Sequence, residues 1–333
     1  MDYSDLTNNL IKGNTRAAAR LITIVENDIN AAEEIVSSIY KHTGKAYILG
    51  ITGAPGTGKS TFISTLTKNF VDKGKKVGII CVDPTSPLTG GALLGDRIRM
   101  KQHFSLDNVF IRSMANRGQL GGLARATEDA IKILDAYGSD IVIVETVGVG
   151  QSEVDIFKSA MTVVVLLVPG LGDDIQAIKA GIMEITDVFV VNKMDLHGAD
   201  KKVSDIIQML EFRNSYKYNS SNLKDKYAKI HQWTPEITKV NSKTGENFEV
   251  LLELINKHKL FLEESGVISS YLKNRITSET IQILKHKLTK KLEDLLNYDE
   301  EMGKYINQAV QKSLDPYSMA NLIIKMLGLE KQN

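Results

Sequence analysis

Gly53-Ala54-Pro55-Gly56-Thr57-Gly58-Lys59-Ser60 is the stretch on which the fold turns. It satisfies G-x-x-x-x-G-K-[S/T] in full. An apolar run, Tyr47–Ile51, precedes it and a helical pattern, Thr61–Phe70, follows. Strand, glycine-rich turn and helix form the setting in which this pattern holds phosphate. The glycines let the backbone curl so that successive N–H groups face phosphate oxygens, and the helix N-terminus adds partial positive charge. Lys59 is expected to reach the β- and γ-phosphates, and the Ser60 hydroxyl to ligate Mg²⁺. The expected nucleotide contacts run from Gly53 through Thr61.

Outward from this motif, short apolar runs alternate with helical patterns between about 45 and 258. The runs are Tyr47–Ile51, Val77–Val82, Val109–Ile111, Ile141–Val144, Val163–Val168, Val188–Val191 and Ile237–Val240. They are continuous rather than alternating, so both faces of each strand are buried, as in a parallel sheet covered by helices. The polar stretch Arg213–Lys229 interrupts this order as a surface insertion. Before about 44, Leu6, Leu10, Ala17, Leu21 and Val25 recur at helical spacing. Gly13-Asn14 divides that pattern, with Asn14 or Thr15 as the cap of the following helix. After about 259 no strand signal returns, and Ile281, Leu284, Leu288, Leu292 and Leu295 mark a helical arm whose lysines read as a solvated face. The expected fold is α/β: a mostly parallel phosphate-loop sheet flanked by helices (45–258), with an N-terminal helical extension (1–44) and a C-terminal helical arm (259–333).

Composition excludes several classes. The 333 residues are 43% hydrophobic and 24% charged, with a net charge of +1, so no global field favours nucleic acid or an acidic membrane. The single cysteine, Cys81, rules out an intrachain disulfide framework and a Cys-clustered zinc site. The strongest apolar run, about Met161–Val168, is too short to span a bilayer. Met-Asp-Tyr-Ser-Asp at the start lacks the basic-then-apolar layout of a secretory signal. A cytoplasmic protein is expected, or one of the mitochondrial matrix after removal of a transit peptide.

Acidic residues end two later strands: Asp83 after Val77–Val82, and Glu145 after Ile141–Val144. In a parallel sheet these carboxyl ends lie beside the phosphate loop, where carboxylates hold Mg²⁺ directly or through water. Val188–Val191 leads into Asn192-Lys193-Met194-Asp195, an N-K-x-D pattern. The Asp195 carboxylate can accept from guanine N1–H and N2–H₂ together, whereas adenine would leave it unpaired, a strongly discriminating mismatch. Lys193 would lie along the base and Asn192 would tie its loop to the phosphate loop. Ile237–Val240 ends at Asn241-Ser242-Lys243, in the position of the S-A-K loop that donates a backbone N–H to guanine O6. Asn and Ser stand there for the usual Ser and Ala. GTP or GDP with Mg²⁺ is the expected ligand.

Asp83-Pro84-Thr85-Ser86-Pro87 continuing through Thr89-Gly90-Gly91 to Leu94-Gly95-Asp96-Arg97, together with Glu145-Thr146-Val147-Gly148-Val149-Gly150-Gln151 and Pro169-Gly170-Leu171-Gly172-Asp173-Asp174, resembles the MeaB/ArgK-type GTPases, the methylmalonyl-CoA mutase-associated family. Arg16–Arg20 and Leu314–Ser318 extend the resemblance over nearly the whole chain. It implies a GTPase domain of the SIMIBI class with a C-terminal dimerisation arm, hence a homodimer. It implies Mg²⁺ handling by Ser60, Asp83, Asp96 and Glu145, and switch loops at 83–100, 145–157 and 169–179. Arg99 and Lys179 match positions that could neutralise transition-state charge beside Lys59, and Asp173 a position that responds to the partner. That partner is an adenosylcobalamin-dependent acyl-CoA mutase, methylmalonyl-CoA mutase foremost, whose B12 loading and reactivation the family gates. The usual D-x-x-G-Q arrangement is absent, because Gln151 sits six residues after Glu145.

Two other classes compete. A metallochaperone GTPase would need Cys or His ligands near the switches, but the histidines at 42, 103, 197, 231, 258 and 286 form no close pair in sequence. A membrane-targeting GTPase of the signal-recognition type would need a Met-rich partner domain, and the ten methionines are dispersed. The family's older label, a transport-related kinase, finds no protein-kinase site in these residues.

Overall fold

The computed structural model describes residues 2–83, 108–115, 122–146, 160–170, 185–219, 233–298 and 300–326. Seven strands form one sheet: β1 (Tyr47–Gly53), β2 (Val77–Asp83), β3 (Val109–Ala115), β4 (Ile141–Thr146), β5 (Thr162–Leu167), β6 (Val188–Asn192) and β7 (Glu236–Val240). Their order is β3-β2-β4-β1-β5-β6-β7, and every neighbouring pair is parallel. All seven apolar runs are strands. Several continue past the run: β1 to Gly53, β2 to Asp83, β4 to Thr146 and β6 to Asn192. A parallel ladder is made of backbone groups, so it carries polar side chains along the carboxyl edge once the neighbouring strands extend as far.

The two faces follow the strand period of two. In β1, Ile48 faces one way and Tyr47, Leu49 and Ile51 the other; in β2, Ile80 and Val82 oppose Val77, Ile79 and Cys81. The second face is covered by α4 (Lys59–Asp72) and α7 (Phe248–Glu264), whose Phe62 and Phe248 rings meet at 5.3 Å between centroids. The first face is covered by α5 (Gly122–Ala136), α6 (Ala199–Asn219) and three N-terminal helices, α1 (Ser4–Ile11), α2 (Thr15–Asn27) and α3 (Ile29–Ile39).

The break at Gly13-Asn14 falls where expected, and Asn14 is the cap: its side chain accepts from the Ala17 N–H at 3.0 Å. A second break, at Asp28, has no glycine to mark it. Asp28 is extended (φ −134°, ψ 111°) and its carboxylate accepts from Asn30 and Ala31 N–H groups at 2.9 and 3.1 Å, so a side-chain cap alone ends one helix and starts the next. α6 runs to Asn219, into the stretch expected to be an insertion; residues 220–232 lie outside the described set.

The backbone clusters into two compact units, residues 1–275 and 276–333. α7 passes through position 259 without interruption, with His258 and Leu262 buried. α8 (Val267–Tyr298) follows, then α9 (Glu300–Val310) and α10 (Pro316–Met326). Within the second unit α9 packs on α10.

Candidate nucleotide site

The phosphate loop leaves β1 at its carboxyl end and enters α4. Gly53 has φ +155°, and a Cβ there would stand 2.4 Å from the Leu166 carbonyl oxygen of β5. The glycine lets β1 and β5 stay paired up to the mouth of the loop. Gly58 caps α4 in the left-handed conformation (φ +89°), where a Cβ would meet Asn192 Nδ2 at 2.8 Å. These contacts explain why the first and last motif glycines cannot carry side chains.

Inside the loop, Lys59 is buried and its ammonium donates to the carbonyls of Gly53 (2.7 Å) and Ala54 (3.2 Å). The Thr57 hydroxyl donates to the Ala54 carbonyl at 2.8 Å. Pro55 and Gly56 form the exposed tip, and Ser60 and Thr61 lie in the first turn of α4. The first N–H groups of an α-helix have no partner within it, which is what makes a helix N-terminus an anion site.

The base-reading segment packs directly against this loop. Asn192, the last residue of β6, is 1% exposed. Its Nδ2 donates to the Thr57 carbonyl at 2.7 Å. Its Oδ1 accepts from the Ser242 N–H (3.1 Å) and hydroxyl (2.7 Å). One buried amide thus joins three loops. Lys193 follows with positive φ (+57°), and its ammonium donates to the Gly56 carbonyl at 2.9 Å. The turn after β7 is held from the other side by Thr65 of α4, whose hydroxyl donates to the Ser242 carbonyl at 2.7 Å. Asp195 is exposed and accepts from Asn241 Nδ2 at 2.9 Å. Lys243 is exposed at the end of this turn. The structure therefore gathers Gly53–Thr61, Asn192, Lys193, Asp195 and Asn241–Lys243 at one edge of the sheet. The role of the Asn241 side chain was not legible as such, because the motif there draws attention to a backbone donor.

Two of the four expected metal ligands besides the phosphates' own oxygens can be placed beside this loop. Glu145 in β4 is level with Ile51 of β1 and Cys81 of β2; it is 4% exposed, with the Cys81 thiol 3.6 Å from Oε2. Ser60 lies in the first turn of α4. A hydroxyl and a carboxylate at the carboxyl edge are the oxygen donors Mg²⁺ prefers, and Mg²⁺ in nucleotide sites takes its remaining ligands from phosphate and water. No group of three or more His, Cys, Asp or Glu side chains that could hold a metal occurs among the described residues. Asp83 ends β2 at the same edge. Asp96, Arg99, Asp173 and Lys179 lie outside the described residues.

Comparison with known proteins follows the same lines. Residues 18–296 match the family model described as methylmalonyl-CoA mutase-associated GTPase MeaB. A protein named as a GTPase in Pyrococcus horikoshii is 50% identical over 97% of this chain and 98% of its own. The mouse methylmalonic aciduria type A homolog, named as mitochondrial, is 28% identical over 96% of this chain and 78% of its own. A crystal structure of a LAO/AO transport system kinase superposes with a TM-score of 0.65 at 23% identity, covering 98% of this chain and 97% of that one, which speaks to the fold.

Proposed function

Since the chain belongs to the MeaB family of methylmalonyl-CoA mutase-associated GTPases, and so binds guanine nucleotide and hydrolyses GTP, we propose that it uses this cycle to gate B12 cofactor loading and reactivation in an adenosylcobalamin-dependent acyl-CoA mutase, methylmalonyl-CoA mutase foremost. The observation that carries the nucleotide half is the three-loop junction at Asn192. It ties the Thr57 carbonyl of the phosphate loop to the Ser242 turn, so base and phosphate ends of one ligand are read by a single rigid piece. The mutase half is supported by the family's description and by the name of the mouse relative.

In this reading Lys59 and the N–H groups of Gly53–Thr61 bind the phosphates, and Asp195 reads guanine with Lys193 along the base. Ser60, Asp83, Asp96 and Glu145 would hold Mg²⁺, which when bound neutralises phosphate charge. Arg99 and Lys179 would complete the charge-stabilising set and Asp173 would answer to the partner. A GTPase site whose charge-stabilising set is completed with a partner turns over slowly without it. The protein is read as a homodimer with neither nucleic acid nor a membrane as partner; no helix among the described residues is long and apolar enough to cross a bilayer.

The test has two arms. Asp195→Asn should reverse base preference from GTP to xanthosine triphosphate, because xanthine carries a carbonyl where guanine carries the 2-amino group; unchanged GTP affinity would remove the base-site assignment. Purified methylmalonyl-CoA mutase should raise the GTP turnover of the full-length protein on the order of a hundredfold, as completed GTPase sites do. An unaltered rate, with no complex by analytical ultracentrifugation, would exclude that client.

A further inference from the structure

Asn241 stands where this loop type ordinarily has serine. We propose that its side chain is the positioning residue for base recognition: it locks the Asp195 carboxylate and the turn after β7 into one unit and thereby sets guanine specificity. The inference rests on the reading of Asp195 as the base-contacting group.

The geometry fixes which way the amide points. Asn241 Oδ1 lies 3.0 Å from the Lys243 N–H and 3.4 Å from the Thr244 N–H. Two backbone donors facing one atom require that atom to be the carbonyl oxygen, so the NH₂ end must face Asp195 Oδ1 at 2.9 Å. The backbone of Asn241 is held as well: its N–H donates to the Glu246 carbonyl at 3.2 Å and its carbonyl accepts from Gly245 at 2.9 Å. Asn241 is 9% exposed, whereas Asp195 is on an exposed turn. An exposed aspartate rotates freely unless something holds it. Here the restraint comes from a buried, doubly anchored amide whose N–H direction is set by its plane.

That restraint matters because guanine offers two parallel donors on one edge. A carboxylate meets both only when its plane is aligned with the base, which is the geometric demand of bidentate pairing. Asn241 uses one lone-pair site of Oδ1 and leaves the others available. An amide also has no proton to lose, so the donor that faces Asp195 does not itself titrate. A carboxylate at the same position would place two like charges about a hydrogen bond apart, and one of the pair would then take up a proton well above the usual carboxylate range.

The test uses the full-length protein with Mg²⁺ and measures GTP, GDP, ITP and ATP binding by calorimetry beside steady-state GTP hydrolysis. Asn241→Ala should weaken GTP and GDP about tenfold, the size of one lost hydrogen bond to a charged group. It should raise KM with less than a threefold change in kcat and narrow the preference for GTP over ITP. Asn241→Ser should recover part of the loss. Asn241→Asp should bind GTP weakly at pH 8 and regain affinity severalfold by pH 5.5, relative to the parent protein, because a shared proton rebuilds the donor. GTP affinity and GTP:ITP preference unchanged in Asn241→Ala would overturn the proposal, as would a pH-independent Asn241→Asp. Should Asn241→Asp fail to fold, the Ala and Ser variants decide alone. Asp195→Asn separates the two readings: if it retains GTP, the base site itself is misplaced; if it loses GTP while Asn241→Ala does not, only the positioning role falls.

Discussion

Gly53 and Lys59 make opposite demands at the residue scale. Gly53 is required by its surroundings before any ligand arrives, since a Cβ would press into the Leu166 carbonyl at 2.4 Å and Leu166 Cβ at 3.1 Å. Gly53→Ala must push β1 from β5 or distort the loop. It should therefore lower stability on the order of 2 kcal/mol or more, as backbone strain in a core position does, read as a drop in the urea midpoint with the slope unchanged. Lys59 is required by what arrives. Its ammonium rests on the Gly53 and Ala54 carbonyls, where water can replace it on truncation. Lys59→Ala should keep the fold and lose GTP hydrolysis on the order of a hundredfold or more. A hydrolytically intact Lys59→Ala would end the phosphate-loop argument; a Gly53→Ala variant as stable as the parent would refute the packing one.

At the scale of elements, the amino edge of the sheet carries a buried polar chain that no motif announces. His258 of α7 is 3% exposed. Its Nε2 faces Asp187 Oδ1 at 3.4 Å just before β6, and its Nδ1 lies 2.7 Å from the Thr162 hydroxyl of β5, which meets the Tyr47 hydroxyl of β1 at 2.5 Å. A carboxylate only accepts, so the proton sits on Nε2, Thr162 donates to Nδ1 and Tyr47 donates to Thr162. Trp233 covers the histidine at 4.7 Å between ring centroids. Burial pushes the His258 imidazole down from 6.5 to about 4 and the Tyr47 phenol up.

The sign of the pH effect follows from that shift. Between pH 6.5 and 4 the unfolded chain binds a proton at this histidine that the folded chain refuses, so stability is complete above about 6.5 and falls as pH drops toward 4. The shift corresponds to roughly 3 kcal/mol. The charged groups packed around this chain are Asp187, the Lys257–Glu236 pair and Lys259 near the Tyr47 ring. Urea midpoints at pH 7.5, 5.5 and 4.5 should fall steeply for the parent protein and less for His258→Gln; parallel slopes would refute the assignment.

This edge also shows where sequence reading stops. Each strand run was legible because apolar residues report burial directly, and the phosphate and base loops because their chemistry needs few residue types at fixed spacing. Tyr47, Thr162, Asp187 and His258 are spread over more than two hundred positions. Their partnership is created by strand order, and β1 meeting β5 rather than β2 is a tertiary outcome that no local pattern encodes. Asp28 hid for a related reason: a capping aspartate among polar residues looks like any surface acid. Asn241 was visible, but its side-chain role depends on the distance to Asp195 across two strands.

At the scale of the whole molecule, the second unit poses its own requirement. Among its described residues, Met302 and Ile323 are the buried large apolar side chains, while Ile281, Leu284, Leu288, Ile306, Val310, Tyr317, Ile324 and Met326 are exposed. A unit this small rarely holds a stable core without cover, and apolar surface of this extent in a native protein marks an interaction site. Leu284 and Leu288 lie four apart on α8, hence on one face, and are 51% and 42% exposed. The proposed homodimer would supply a cover of matching chemistry, a second copy presenting the same stripe across a two-fold axis. Light scattering on the full-length protein should give twice the chain mass at micromolar concentration. The double variant Leu284→Glu/Leu288→Glu should give the single mass and keep GTP affinity within about twofold, since neither leucine belongs to the nucleotide-binding set. A dimer that survives the double charge would move the interface off this stripe, and a parent protein that is monomeric throughout would refute the dimer.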